Sequence, residues 1–302
     1  MNGGEPPYPR DLIGYGRQPI DPQWPGGARI AVEFVLNYEA GGELCVLHGD
    51  DSSEGTLTEF NIPALPHQRQ LLVESSFEYG SRCGVWRILR LFEQRRLALS
   101  VFAVGMALAR NPEVARALTE AGHEILTHGW RWFDYKDVPE EVERAHLRQA
   151  VALQVALTGQ RPLGGFIART SLNSRRLLVE EGFLYDQDAS NDDLPFWTDV
   201  GGQPHLVVPF AFDTNDNRFI TGSLGTGEDF FAYLRDAFDL LYDEGADQPK
   251  LLTIGLHERF VGRPGRAAGL ARFLDYVQAH DRVWVCRGID IAQHWRTHHP
   301  PR

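Results

Sequence analysis

Cysteine, positive charge and long apolar runs are all scarce in this chain of 302 residues. The three cysteines, Cys45, Cys83 and Cys286, are odd in number, far apart and outside any metal-ligand or redox spacing. That excludes a disulfide framework or a cysteine metal site, and it predicts packing roles in a reducing compartment. Thirty Lys and Arg stand against 41 Asp and Glu, a formal net charge of -11. Nothing then supplies the positive footprint that a nucleic acid or an anionic membrane requires, so small molecules or other protein chains remain as partners. No stretch approaches the roughly 18 apolar residues of a membrane span. Met1 to Pro7 has neither the basic start nor the apolar core of a secretion signal, and a cytoplasmic location is expected. No Gly-x-Gly-x-x-Gly follows a strand pattern and no glycine-rich loop ends in Gly-Lys-Ser/Thr, which weighs against a dinucleotide or P-loop site.

What is present is apolar material in alternating patterns. A hydrophobic content of 43% suffices for a large core, as one α/β barrel or two smaller domains. Strands are predicted over 29–37, 98–104, 123–127, 164–168, 183–187, 206–210, 251–256 and 283–286. Helices are predicted over 85–95, 112–121, 140–157, 174–181, 229–244 and 265–280. In the helix over 140–157, Val142, Ala145, His146, Ala150, Leu153 and Leu157 are read as the apolar face, closed by Gly159. Seven or eight such units predict a distorted (β/α) barrel of about seven strands, taken as one catalytic domain over 1–302. Two segments fall outside the alternation, 1–28 and 41–76. Both are expected to form active-site rim or subunit contacts. The tail from Trp295 to Arg302, with His298 and His299, is expected to be mobile.

In a parallel barrel, side chains just past the strand C-termini converge on one mouth. Four places qualify: Asn37-Tyr38-Glu39, His128 with Trp132, Arg169-Thr170, and His257. Taken singly, Glu39 is as well suited to a cap or an ion pair as to chemistry. His128 and Trp132 have core readings, and Arg82, Arg169 and Asp192 have surface ones. As functional groups, Glu39 is expected to hold or deprotonate an attacking water through a carboxyl whose pKa burial has raised. His128 would polarise or transfer a proton, and His257 would protonate a leaving nitrogen. Arg169 and Arg82 offer planar cations for carbonyl or ureido oxygens, and Asp192 is a weaker substrate contact in what also reads as a solvated turn.

Arg29 to Glu39, Glu120-Ala121-Gly122-His123-Glu124-Ile125 with His128-Gly129, Thr158-Gly159-Gln160-Arg161-Pro162 and Leu256-His257 resemble, in order, the motifs of the polysaccharide deacetylase family. In metal-dependent members the first motif gives a catalytic base and a metal ligand, and the second gives two histidine ligands. Here Asn37 stands at the base position, Glu39 at the ligand position, His128 at the first histidine and Trp132 at the second. An indole is only an N–H donor, so no metal and no other cofactor is expected.

The wording is most similar to the metal-independent allantoinase branch, which opens a hydantoin ring. The shared runs include Tyr8 to Gly16, Leu36-Asn37-Tyr38-Glu39, Glu78 to Arg82, His128 to Trp132, Asp192 to Trp197, Asp213 to Asp216 and Gly262-Arg263-Pro264. The chain departs from that branch at Ala168-Arg169-Thr170-Ser171-Leu172-Asn173, at Gln187 to Asn191 and at Glu258. The resemblance implies a metal-independent hydrolase of a small cyclic amide or ureide in purine catabolism. It implies Glu39, His128 and His257 as catalytic groups, with Trp132, Arg169, Arg82, Asn37 and Asp192 on the substrate, and a homo-oligomer such as a tetramer. A metal-dependent N-deacetylase of a sugar or small amide, and a non-catalytic binding protein on the same fold, are the alternatives.

Overall fold

The structure, a computed structural model, describes residues 10–60 and 62–301. Tyr8 and Pro9 of the first shared run lie outside them. The organising element is β1 (Ile30–Tyr38), all nine residues of which are buried. Its near-continuous apolar run is the pattern of a strand covered on both faces, as parallel sheets require.

Around it lie β2 (Ser100–Ala103), β3 (Glu124–Thr127), β4 (Gly164–Gly165), β5 (Tyr185–Asp186), β6 (Phe196–Val200), β7 (Gln203–Val207), β8 (Lys250–His257) and β9 (Val283–Cys286). The order is β6-β7-β5-β4-β3-β2-β1-β8. β8 takes one whole edge of β1; the other edge is divided between β9 beside Ile30 to Glu33 and β2 beside Val35 to Tyr38. Every pairing but one is parallel, and helices lie between the strands in the chain, so the sheet curls into the distorted (β/α) barrel expected.

The exception is the antiparallel pair β6–β7; β6 was not among the eight predicted strand spans and brings the sheet to nine strands among the described residues, against about seven expected for the barrel. Its signal is in the sequence: Gly201 and Gly202, both with positive φ, form the two-residue turn of a hairpin. The helices are α1 (Leu71–Tyr79), α2 (Val85–Arg95), α3 (Gly105–Arg110), α4 (Pro112–Glu120), α5 (Glu140–Thr158), α6 (Ser174–Glu180), α7 (Gly227–Glu244), α8 (Pro264–Gln278) and α9 (Gly288–His298). Six match predicted spans to within a few residues; α1, α3 and α9 were not predicted.

Three expectations are corrected. The buried face of α5 is Glu143, Leu147, Ala150 and Gln154, while Val142 is 38% exposed. Two of those residues are polar, and partners make the burial tolerable: Ser171 and Ser174 donate to the Glu143 carboxylate, and Gln154 donates to the Ile125 carbonyl at 2.9 Å. The tail is held rather than loose. Trp295 is buried against Trp24 and Tyr15, and the Trp197 indole N–H donates to the His299 carbonyl at 2.7 Å. Cys45 and Cys286 are buried as expected, but Cys83 is exposed.

Candidate active site

The C-terminal ends of β1, β3 and β8 bring Glu39, His128 and His257 together. Register does most of the positioning: Asn37 of β1 lies level with His257 of β8 and with Phe102 of β2. The Asn37 amide donates to the Leu256 carbonyl at 3.1 Å, a side-chain tie that fixes the end of β8 beside Glu39. Asn37 is thus engaged within the protein and 2% exposed.

One carboxylate oxygen of Glu39 lies 3.3 Å from His128 Nε2 and 3.7 Å from His257 Nε2. The other accepts from Arg259 Nη1 at 2.6 Å. Burial by itself raises the Glu39 pKa, but Arg259 first, then His257 and His128, outweigh it and hold this carboxyl well below the usual carboxylate range. The expected raised pKa is therefore corrected. Its cause is Arg259, two residues past His257, whose guanidinium is buried within the same cluster. A carboxylate so stabilised is a persistent anion and a weak proton acceptor.

His257 is oriented by a second carboxylate. Asp216, fully buried at the start of a 3-10 turn, faces Nδ1 at 2.6 Å with one oxygen. With its other oxygen it accepts from the backbone N–H groups of His257 and Val261 at 2.7 and 3.0 Å. Burial alone would push the imidazole pKa down; Asp216, then Glu39, overcome it and raise His257 above its ordinary value. With Nδ1–H directed to Asp216, Nε2 is left to face Glu39.

Trp132 is buried and tied down by its backbone N–H to the Gly42 carbonyl at 2.9 Å. The Arg169 guanidinium lies 4.1 Å from its ring and donates to Thr56 Oγ1 at 2.7 Å. Arg259 approaches the same indole at 5.3 Å and the rings of Phe260 and Phe77 at 4.4 and 4.5 Å. The loop carrying Thr56 and Leu57 therefore reaches the mouth, in keeping with a rim role for part of 41–76.

These residues do not fit a catalytic metal ion. Among the described residues no group of three or more His, Cys, Asp or Glu side chains is placed to hold one. Glu39 is already paired with a guanidinium, His257 is directed to Asp216, and an indole stands where a further ligand is needed.

Two glycines let the end of β8 reach this position. A Cβ on Gly84 would lie 1.9 Å from the Glu258 carbonyl oxygen, and one on Gly262 would lie 2.0 Å from it. Such an approach of backbone to backbone admits no side chain. Gly84→Ala is expected to shift the segment bearing His257 to Arg259, costing about 1–3 kcal/mol as overpacking does, and to lower kcat with it. Thermal melting and steady-state rates check this; unchanged values in both would contradict it.

Glu39, His128, His257, Trp132 and Arg169 thus meet as expected, and Asn37 supports them. Arg82 and Asp192 are not drawn in. Arg82 is exposed on the π turn Gly80–Gly84, and the Asp192 carboxylate faces the N-terminal segment, within 3.1 Å of where a Gly14 Cβ would stand. Sequence reasoning missed two groups. Asp216 ended a run already recognised as shared, without a role, and Arg259 followed the His257-Glu258 pair unremarked.

Fold and site together define a barrel-type hydrolase whose buried carboxylate and imidazoles gather at the strand C-termini. The chain belongs to the polysaccharide deacetylase family. The family model for polysaccharide deacetylases matches residues 67–179. A candidate polysaccharide deacetylase of Schizosaccharomyces pombe is 40% identical, over 96% of this chain and 98% of that protein. Among solved structures, a candidate polysaccharide deacetylase of Pseudomonas aeruginosa PAO1 is 55% identical with a TM-score of 0.95, covering 98% of this chain and 100% of its own. PuuE allantoinase is 53% identical, also with a TM-score of 0.95, covering 98% and 99%.

Proposed function

We propose that the chain hydrolyses a C–N bond in a small cyclic amide or ureide, an allantoinase-like ring opening, without a metal ion. The observation that carries this reading is the Asp216–His257 pair facing Glu39, a proton-transfer arrangement complete in side chains alone. Neutral His257 takes a proton from water at Nε2 as the oxygen adds to the ring carbonyl carbon. The carbonyl π pair moves to its oxygen. When the C–N bond breaks, the imidazolium returns that proton to the leaving nitrogen, without which a poor leaving group is not expelled. Asp216 fixes the tautomer and steadies the imidazolium. Glu39, anionic throughout, orients the water and both imidazoles. The flat Trp132 face and the Arg169 cation suit a planar ring bearing carbonyl oxygens. The similarity to PuuE allantoinase along nearly the whole chain supports the same class of substrate.

The test is turnover of a panel of hydantoins, imides and ureides by protein treated with chelator. At least one ring is expected to open, at a rate that EDTA leaves unchanged. Activity lost to EDTA and restored by zinc would instead support the N-deacetylase reading. Binding across the panel without turnover would support a non-catalytic protein.

A further inference from the structure

Arg259 has no counterpart among the groups expected from sequence, yet it is the only guanidinium bonded to Glu39 among the described residues. It is fully buried, walled by Phe77, Trp132 and Phe260, and its second carboxylate neighbour, Glu258, is 3.8 Å away. A buried cation requires partners, and a guanidinium carries five N–H donors. Only one finds a good acceptor, Glu39 at 2.6 Å. Nε and Nη2 instead point at a single oxygen, the Leu57 carbonyl, at 3.4 and 3.5 Å, longer than a normal N–H···O bond. Leu57 holds that carbonyl in place with a left-handed backbone, φ 47°, which a leucine rarely adopts. A carbonyl set loosely on two parallel donors, beside the groups that would carry out hydrolysis, occupies the place of an electrophilic carbonyl.

We infer that Arg259 is the fixed cation of this site, and that the substrate's scissile carbonyl oxygen displaces the Leu57 carbonyl from its Nε and Nη2 hydrogens. Resting on the proposed ring hydrolysis, this assigns charge stabilisation to a residue rather than to an ion. As water adds, the π pair leaving the carbonyl carbon collects on the oxygen facing the guanidinium, and it returns to re-form the carbonyl as the C–N bond breaks. The donors are pre-oriented by burial among aromatic rings, away from water, where such stabilisation is largest. The indole of Trp132 packs against this cation and helps to hold it in place.

The experiment uses whichever ring the unmodified protein opens; if it opens none, the reading of function has failed and not this inference. Arg259→Lys keeps the charge against Glu39 but loses the paired donors. It is expected to lower kcat/KM by about 10²–10³-fold, mainly through kcat, as loss of an oxyanion donor does, with its melting temperature near that of the unmodified protein. Arg259→Ala opens a cavity, and added guanidinium at millimolar, non-denaturing concentration is expected to restore activity at least tenfold. Kinetics of the lysine variant equal to those of the unmodified protein, or a folded alanine variant that guanidinium does not rescue, would overturn the assignment. Should the alanine variant not fold, the lysine result decides.

Discussion

Asp216→Asn is expected to lower kcat by about 10²–10⁴-fold, the range for a well-placed acid–base group, while the substrate KM changes little. The substituted amide oxygen can still accept from the backbone N–H groups of His257 and Val261, but its NH₂ group cannot accept from His257 Nδ1–H. The imidazole then favours the opposite tautomer, with its proton on the nitrogen that must receive one. The pH dependence follows from the same contact. In the native site Asp216, then Glu39, raise the His257 pKa against the downward push of burial. Because neutral His257 is the working base, activity should rise as pH increases through a pKa above the ordinary value of about 6.5. In Asp216→Asn the largest raising charge is gone and burial weighs more heavily, so the acid limb moves to lower pH beneath a much lower plateau. A kcat/KM profile against pH reads both effects. An acid limb and plateau that coincide with those of the native protein would sink the assigned role.

Trp295→Ala should destabilise the protein by about 3 kcal/mol, the lower end of the 3–5 kcal/mol seen for large aromatics cut to alanine in a core. Trp295 is 1% exposed and anchors α9 against Trp24 and Tyr15. The lower end applies because its indole N–H is buried without a hydrogen-bond partner, a cost that the substitution removes. The midpoint of urea unfolding should fall at unchanged slope. Since Trp295 shares no hydrogen bond or ring contact with Glu39, His128 or His257, kcat at a temperature where the variant is folded should stay near the native value. A change below 1 kcal/mol would mean that the tail is loose after all.

Trp295 also shows why part of the fold was hard to read. A helix ending in Thr-His-His-Pro-Pro looks like a frayed terminus, and only its docking on Trp24 from the other end of the chain makes it core. α5 misled for a related reason. Its true inward face carries Glu143 and Gln154, whose burial depends on Ser171, Ser174 and Ile125, groups that periodicity cannot see. By contrast β1 was legible because nine consecutive buried residues leave a run that is apolar but for Glu33 and Asn37. The Gly201-Gly202 hairpin was legible in principle and went unread.

The chain by itself determined the alternating barrel, the family and the placement of Glu39, His128, Trp132 and His257 at one mouth. Those follow from local apolar patterns and from residues adjacent to strand ends, which short-range sequence carries directly. Only the tertiary structure decided the charge state and task of each group. Glu39 and Arg259 are 220 residues apart in the chain and 2.6 Å apart in space, and Asp216 meets His257 across 41 residues. A pKa is set by the charges within a few ångströms and by the water that packing removes. Glu39 therefore reads as a buried base in sequence and stands as a paired anion in the fold.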